Sequence, residues 1–182
     1  MSGAPYFIPH GEALEILAQY PIKTHTENLH LDEVFNRVLA VDLQSKVDDP
    51  RFDNSAMDGF AFRHIDSLQP PSLLSIVQTV QAGTGENLIH VGPNQASRIM
   101  TGAPIPEGAD AILPIEFCKI SSDGKKVSLL QEGRKHFIRK KGENLRFGQT
   151  ALSKGTLLSP SSVGLCATMG HSHVDVFKKL TI

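Results

Sequence analysis

The stretch Asp53-Asn54-Ser55-Ala56-Met57-Asp58-Gly59, running directly into Phe60-Ala61-Phe62, decides how this chain is read. Two acids, an amide, a hydroxyl and a glycine within seven residues are too polar for a core segment. They are also too compact for a linker, because a strand-like apolar run comes at once. A loop that gathers oxygen ligands and donors just ahead of a strand is where proteins place binding and catalytic groups. The residues alone leave two readings open: a functional loop, or an Asx-type turn in which the side chains cap their own backbone.

Working outward, Asp48-Asp49-Pro50 breaks the chain upstream of this loop. Before it, Gly11 to Tyr20 places Leu14, Leu17 and Ala18 on one face, which predicts an amphipathic helix stopped before Pro21. Leu29-His30-Leu31 is expected as a short strand. Asp32 is expected to N-cap a second short helix carrying Val34, Phe35, Val38 and Leu39, and Val41 to Ser45 alternates with the strand period. Downstream, Ser75–Val80, Arg98–Met100 and Ala111–Ile115 read as strands, with Pro114 marking an edge. A turn over Ala82-Gly83-Thr84-Gly85 comes after the first of them. Ser122-Asp123-Gly124 between Phe117–Ile120 and Lys126–Leu130 is a hairpin signal. Ala151-Leu152, Thr156-Leu157-Leu158 and Val174–Phe177 complete the strands. Ser159-Pro160 opens a helix that Gly170 closes. The fold class is therefore mixed and β-rich (α+β). Residues 1–47 and 139–182 are expected to form one discontinuous helix-and-strand domain, and residues 48–138 a β-rich domain inserted into it.

Composition excludes several classes. The chain has 182 residues, 40% of them hydrophobic and 20% charged, with a net charge of −1. That suits a globular protein with a real core and argues against a general nucleic-acid surface. No apolar run approaches the roughly 20 residues of a membrane span. The first residues lack a secretory layout, so a cytoplasmic location is expected. Cys118 and Cys166 sit in apolar company and are expected as reduced thiols. His171-Ser172-His173 has no third ligand nearby in sequence and reads as a solvated turn rather than a zinc site. The basic run Arg134 to Lys141 reads either as a solvated loop or as a phosphate-facing one.

A second loaded loop is Met100-Thr101-Gly102-Ala103-Pro104-Ile105-Pro106-Glu107-Gly108-Ala109-Asp110. Gly102 frees the backbone beside Thr101, and Pro104 and Pro106 stiffen the residues after it. Read alone, it is either a rigid strand connection or a platform that presents a hydroxyl and amides to an oxyanion.

Together, Asp53 to Ala61 and Arg98 to Ala111 resemble the two signature segments of the molybdopterin molybdenumtransferase family, the group of bacterial MoeA and the gephyrin E domain. Gln81-Ala82-Gly83 and Ile138 to Leu145 agree with it. The resemblance covers essentially the whole chain but only the family's N-terminal region, which is a small α/β unit with a β-rich inserted domain. It implies molybdenum cofactor synthesis: insertion of molybdate into adenylylated molybdopterin, with Mg²⁺, releasing AMP. It implies that Asp58 and Thr101 are catalytic and face one cleft, with Asp58 a Mg²⁺ ligand and Thr101 a donor to phosphate or molybdate. Cofactor contacts at Ser55, Gly102 and Arg139 are implied in the same way. It also implies a homodimer, and dealings with the pathway's molybdopterin adenylyltransferase. The family's later motifs, on further C-terminal domains, do not occur in these 182 residues, so a truncation and a catalytically silent chain are expected. Asn144 stands where many relatives have an acid, which weakens a metal role for that loop. The alternative is a non-catalytic dimerisation or scaffold module of the same fold.

Overall fold

The computed structural model describes residues 7–20, 23–84 and 87–180. In chain order the elements are α1 (His10–Ala18), β1 (Thr26–His30), β2 (Leu43–Gln44), β3 (Asn54–Ser55), β4 (Gly59–Phe62), β5 (Ser72–Val80) and β6 (Gln95–Ile99). Then come β7 (Ala111–Pro114), β8 (Cys118–Ile120), β9 (Lys126–Leu129), β10 (Ile138–Arg139), β11 (Thr150–Leu152), α2 (Pro160–Thr168) and β12 (His173–Phe177). The β-rich α+β class is observed. Pro21 and Gly85, used above as helix stop and turn residue, lie outside the described residues.

Two compact units form: Met1–Leu43 with Leu152–Ile182, and Gln44–Ala151. The insertion therefore ends at residue 151, not at 138. The reason is long-range bonding. The 139–151 segment returns to the start of the insertion, where Asp49 N donates to Leu145 O at 2.8 Å and Lys140 Nζ meets Asp53 Oδ2 at 2.7 Å. The change to basic composition near 139 is answered by acids at 48 and 53, not by a new domain.

In the Gln44–Ala151 unit a six-stranded sheet runs β7-β4-β6-β5-β9-β8, antiparallel except for the parallel β5–β6 contact. Alternation sends Phe60, Phe62, Leu74, Ala96, Leu113 and Leu129 into one cluster. Ala61, Val80, Ile99 and Ile112 enter another, with Ala103 and Ile138. Burying each phenylalanine contributes about 1.5–3 kcal/mol. β7 lies at an edge, as Pro114 indicated, and Arg134 covers it by exchanging backbone bonds with Ile112. The Asp-Gly hairpin also forms: Asp123 Oδ1 accepts from Lys125 N at 3.0 Å between antiparallel β8 and β9.

Gly59 is fixed by packing. A Cβ there would stand 2.2 Å from Leu113 O, so only glycine lets β4 approach β7 this closely.

In the other unit β1 pairs antiparallel with β12, and α2 is capped by Ser159 Oγ, which accepts from Ser162 N at 3.2 Å. Two expectations fail here. The helix over Val34 to Leu39 is only a 3-10 turn at Leu31–Glu33 that contains Asp32. Val38 and Leu39 instead bridge Leu157 and Val176, because extended pairing buries Leu39 fully. The strand expected at Thr156–Leu158 is reduced to the Val38–Leu157 bridge, flanked by Leu39 N donating to Thr156 O at 2.9 Å and Leu158 N to Arg37 O at 2.8 Å. α1 forms, yet none of its residues is buried; Leu14 is 53% and Leu17 67% exposed.

Candidate active site

The two signature loops lie side by side and are laced together along their length. Ile105 N donates to Asp53 O at 3.0 Å, Asn54 bridges Pro104, Ser55 N donates to Ala103 O at 3.0 Å and Gly102 N to Ser55 O at 2.8 Å. On its other edge β3 pairs with β10, Ser55 opposite Ile138 and Asn54 opposite Arg139. Gly102 has φ +80°, the left-handed region, and that turn aims Thr101 back at the first loop.

At the end of the ladder, Asp58 Oδ1 accepts from Thr101 N and from Thr101 Oγ1, both at 2.7 Å. Residues 43 positions apart thus form one bidentate contact, and both are exposed to solvent. The Thr101 amide, then its hydroxyl, hold Asp58 below the usual carboxylate range; slight desolvation opposes them and the Arg98 charge assists. Asp58 is ionised at neutral pH.

At the opposite end, Asp53 receives Lys140 Nζ at 2.7 Å on one oxygen and Lys141 N at 2.8 Å on the other. Burial pushes its pKa up, but these hydrogen bonds and the Lys140 charge outweigh that and leave it lowered.

The remaining expected site residues separate. Ser55 is fully buried; its hydroxyl donates to Met57 O at 2.6 Å and accepts from Met57 N at 3.2 Å. That hydroxyl closes its own turn, so the expected cofactor contact has no free group to make it. Gly102 serves through its conformation, with its amide already spent on Ser55 O. Arg139 lies on β10 with an exposed side chain, and its charge is not among those acting on Asp58. Thr101 does not present a donor to an oxyanion here, because its amide and hydroxyl protons both go to Asp58.

The basic run is mostly committed as well: Lys135 pairs with Asp110 at 3.1 Å, Lys140 with Asp53 at 2.7 Å and Lys141 with Asp48 at 3.4 Å. These pairs favour the structural reading of that loop. Asn144 Nδ2 donates to Asp49 Oδ2 at 3.1 Å, a loop-closing role. Among the described residues, no three His, Cys, Asp or Glu side chains gather as a metal site.

Sequence reasoning passed over Arg98. It occupies β6 opposite Phe60, and its Nε is buried with no hydrogen-bond partner among the described residues. The available signal was a lone cation inside the run Ala96-Ser97-Arg98-Ile99-Met100, next to Thr101 in sequence.

Comparison with known proteins identifies the family. The family model for the MoeA N-terminal region (domain I and II) matches residues 8–170. Molybdopterin molybdenumtransferase of Haemophilus influenzae is 36% identical over 169 residues, covering 92% of this chain and 41% of the relative. The protein of that name from Synechococcus elongatus is 38% identical, covering 96% of this chain and 45% of the relative. The crystal structure of the molybdopterin biosynthesis MoeA protein from Pyrococcus horikoshii OT3 superposes with TM-score 0.85 at 33% identity, over 93% of this chain and 45% of that one. The chain spans less than half the length of these relatives. Profile, sequence identity and superposition converge: this chain belongs to the MoeA family and corresponds to its N-terminal region.

Proposed function

We propose that this chain forms one wall of the site at which a molybdopterin molybdenumtransferase inserts molybdate into adenylylated molybdopterin, releasing AMP. The observation that carries the reading is the Asp58–Thr101 contact: two groups from separate signature loops meet at one solvent-facing point. Relatives bearing the molybdenumtransferase name support the substrate class.

The chemistry then divides among residues. Thr101 fixes Asp58 in one rotamer through Oδ1, which leaves Oδ2 without a hydrogen bond among the described residues. Mg²⁺ binds through one or two carboxylates plus water and substrate phosphate, so a single fixed aspartate fits that ion as a partial site. Asp58 Oδ2 would hold it, and the ion would offset phosphate charge. The Ser55–Gly102 ladder keeps the two loops in register, and the rest of the cleft comes from further domains of the family. This chain alone is expected to be catalytically silent. We place the reaction in the cytoplasm; no helix among the described residues is long and apolar enough to cross a membrane. The exposed apolar side of α1 supports a homodimer, and the pathway's molybdopterin adenylyltransferase would supply the substrate.

The test is a titration of adenylylated molybdopterin, with Mg²⁺, into this chain and into a longer polypeptide carrying the family's further domains. Asp58→Ala is run in each. A loss of about 100-fold on substitution is expected from the removal of a charged ligand contact. Equal binding by wild type and variant removes Asp58 from the site and favours the scaffold reading.

A further inference from the structure

The Asp58–Thr101 site as described carries a negative charge and has spent its two nearest donors internally. Apart from the proposed Mg²⁺, an anionic substrate would meet a carboxylate with no protein cation yet assigned to answer its charge. Arg98 supplies what is missing. It sits on β6 opposite Phe60, two residues beyond Asp58 on the neighbouring strand, and three residues before Thr101. None of the ion pairs among the described residues involves it, whereas Lys135, Lys140 and Lys141 are paired; Arg139, also outside those pairs, has an exposed side chain and its charge does not act on Asp58. Its Nε is removed from water and unpartnered, a costly state for a strong donor unless a ligand acceptor completes it. The guanidinium is a planar fork that matches tetrahedral oxyanions in two-point contact.

We infer that Arg98 is the oxyanion-binding residue of the Asp58–Thr101 site, taking a tetrahedral oxyanion, phosphate or molybdate, through its guanidinium. The inference rests on the proposed function for its biological meaning, but its geometry is independent of the reaction catalysed. Asp58 and Arg98 together make the site close to neutral, which lets an anion approach a carboxylate that serves another ligand group. Phosphate would come from the nucleotide part of the substrate, molybdate from the incoming metal oxyanion.

The experiment uses this chain and the Arg98→Lys and Arg98→Met variants. Two-dimensional NMR tracks the Arg98 Nε–H and Thr101 amide signals during separate titrations with inorganic phosphate and with molybdate. The Arg98 Nε–H signal is expected to move in wild type, and Arg98→Met to weaken binding by about 10- to 100-fold, the range for a charged hydrogen bond. Arg98→Lys, read from the neighbouring amides, should fall between the two. An unchanged Thr101 amide position in the free variants shows that the loop ladder is intact. A response to molybdate alone assigns the metal oxyanion; one to phosphate alone assigns the nucleotide. If neither anion moves the Arg98 Nε–H signal, or if Arg98→Met binds as wild type does, the inference is overturned. That result leaves the Asp58 titration, and the function it tests, untouched.

Discussion

Two aspartates from one motif end in different circumstances. Asp53 has both oxygens filled, by Lys140 Nζ and Lys141 N, and so fastens the 140–141 segment to the first signature loop. Asp58, five residues on, has one oxygen held by Thr101 and the other without a hydrogen bond among the described residues, and it feels the charge of Arg98, which forms no ion pair among them. The difference teaches that neighbouring acids of one loop need not share a role: both Asp53 oxygens are taken by the 140–141 segment, whereas the second oxygen of Asp58 carries no hydrogen bond among the described residues and is the one we propose for a ligand.

The contrast can be broken most forcefully at Asp58. Asp58→Asn keeps an acceptor for Thr101, so the unfolding midpoint in urea should change little while ligand affinity falls about 100-fold. An equal fall in stability and affinity would make Asp58 another fastening.

Gly59→Ala tests the framework under the site rather than its chemistry. The new Cβ would meet Leu113 O at 2.2 Å, a backbone atom that cannot yield without parting β4 from β7. A loss of about 3 kcal/mol or more in chemical denaturation is expected, at the upper end for overpacking. Ser55→Ala comes next: removing a buried hydroxyl that bonds twice within its own turn should cost about 1–2 kcal/mol and leave ligand affinity unchanged. Weakened ligand binding at unchanged stability would restore Ser55 as a cofactor contact.

Asp53→Asn sharpens the contrast with the smallest effect, up to about 1 kcal/mol, because the Lys140 pair is substantially exposed. Its pH dependence carries the information. The folded pKa of Asp53 lies below the ordinary aspartate value of 3.8, so its contribution is present above that pH and is lost as pH falls through the lowered folded value. The stability gap between wild type and Asp53→Asn should therefore be full at neutral pH and should close in acid. A gap that persists well below 3.8 would show that ionisation of Asp53 contributes nothing.

Much of this was legible from residues. The apolar run Phe60–Phe62, the Asp-Gly turn at 123–124 and the cap at Ser159 are local signals, and each produced its element. The helix expected over Val34 to Leu39 failed although its apolar spacing is helical: Asn36 turns into the left-handed region, and the bridge between Leu39 and Val176 holds the residues after it extended. No local pattern announces such a partner. The domain boundary moved for a similar reason, since Lys140 and Lys141 answer acids about 90 positions earlier. Residue types alone left both loops open between a turn and a site; the resemblance singled out Asp58 and Thr101 and had them face one cleft, but their mutual bond and the consumption of Thr101's donors are facts of loop geometry. Arg98 was hidden inside a strand run, where a single cation is easily read as solvent-facing.

The most direct test is a double-mutant cycle on ligand binding with Asp58→Ala, Thr101→Val and both together. If carboxylate 58 and hydroxyl 101 act as one unit, the double variant should bind no more weakly than Asp58→Ala by itself, within about twofold. Losses that multiply across the two substitutions would show independent roles and contradict a shared site.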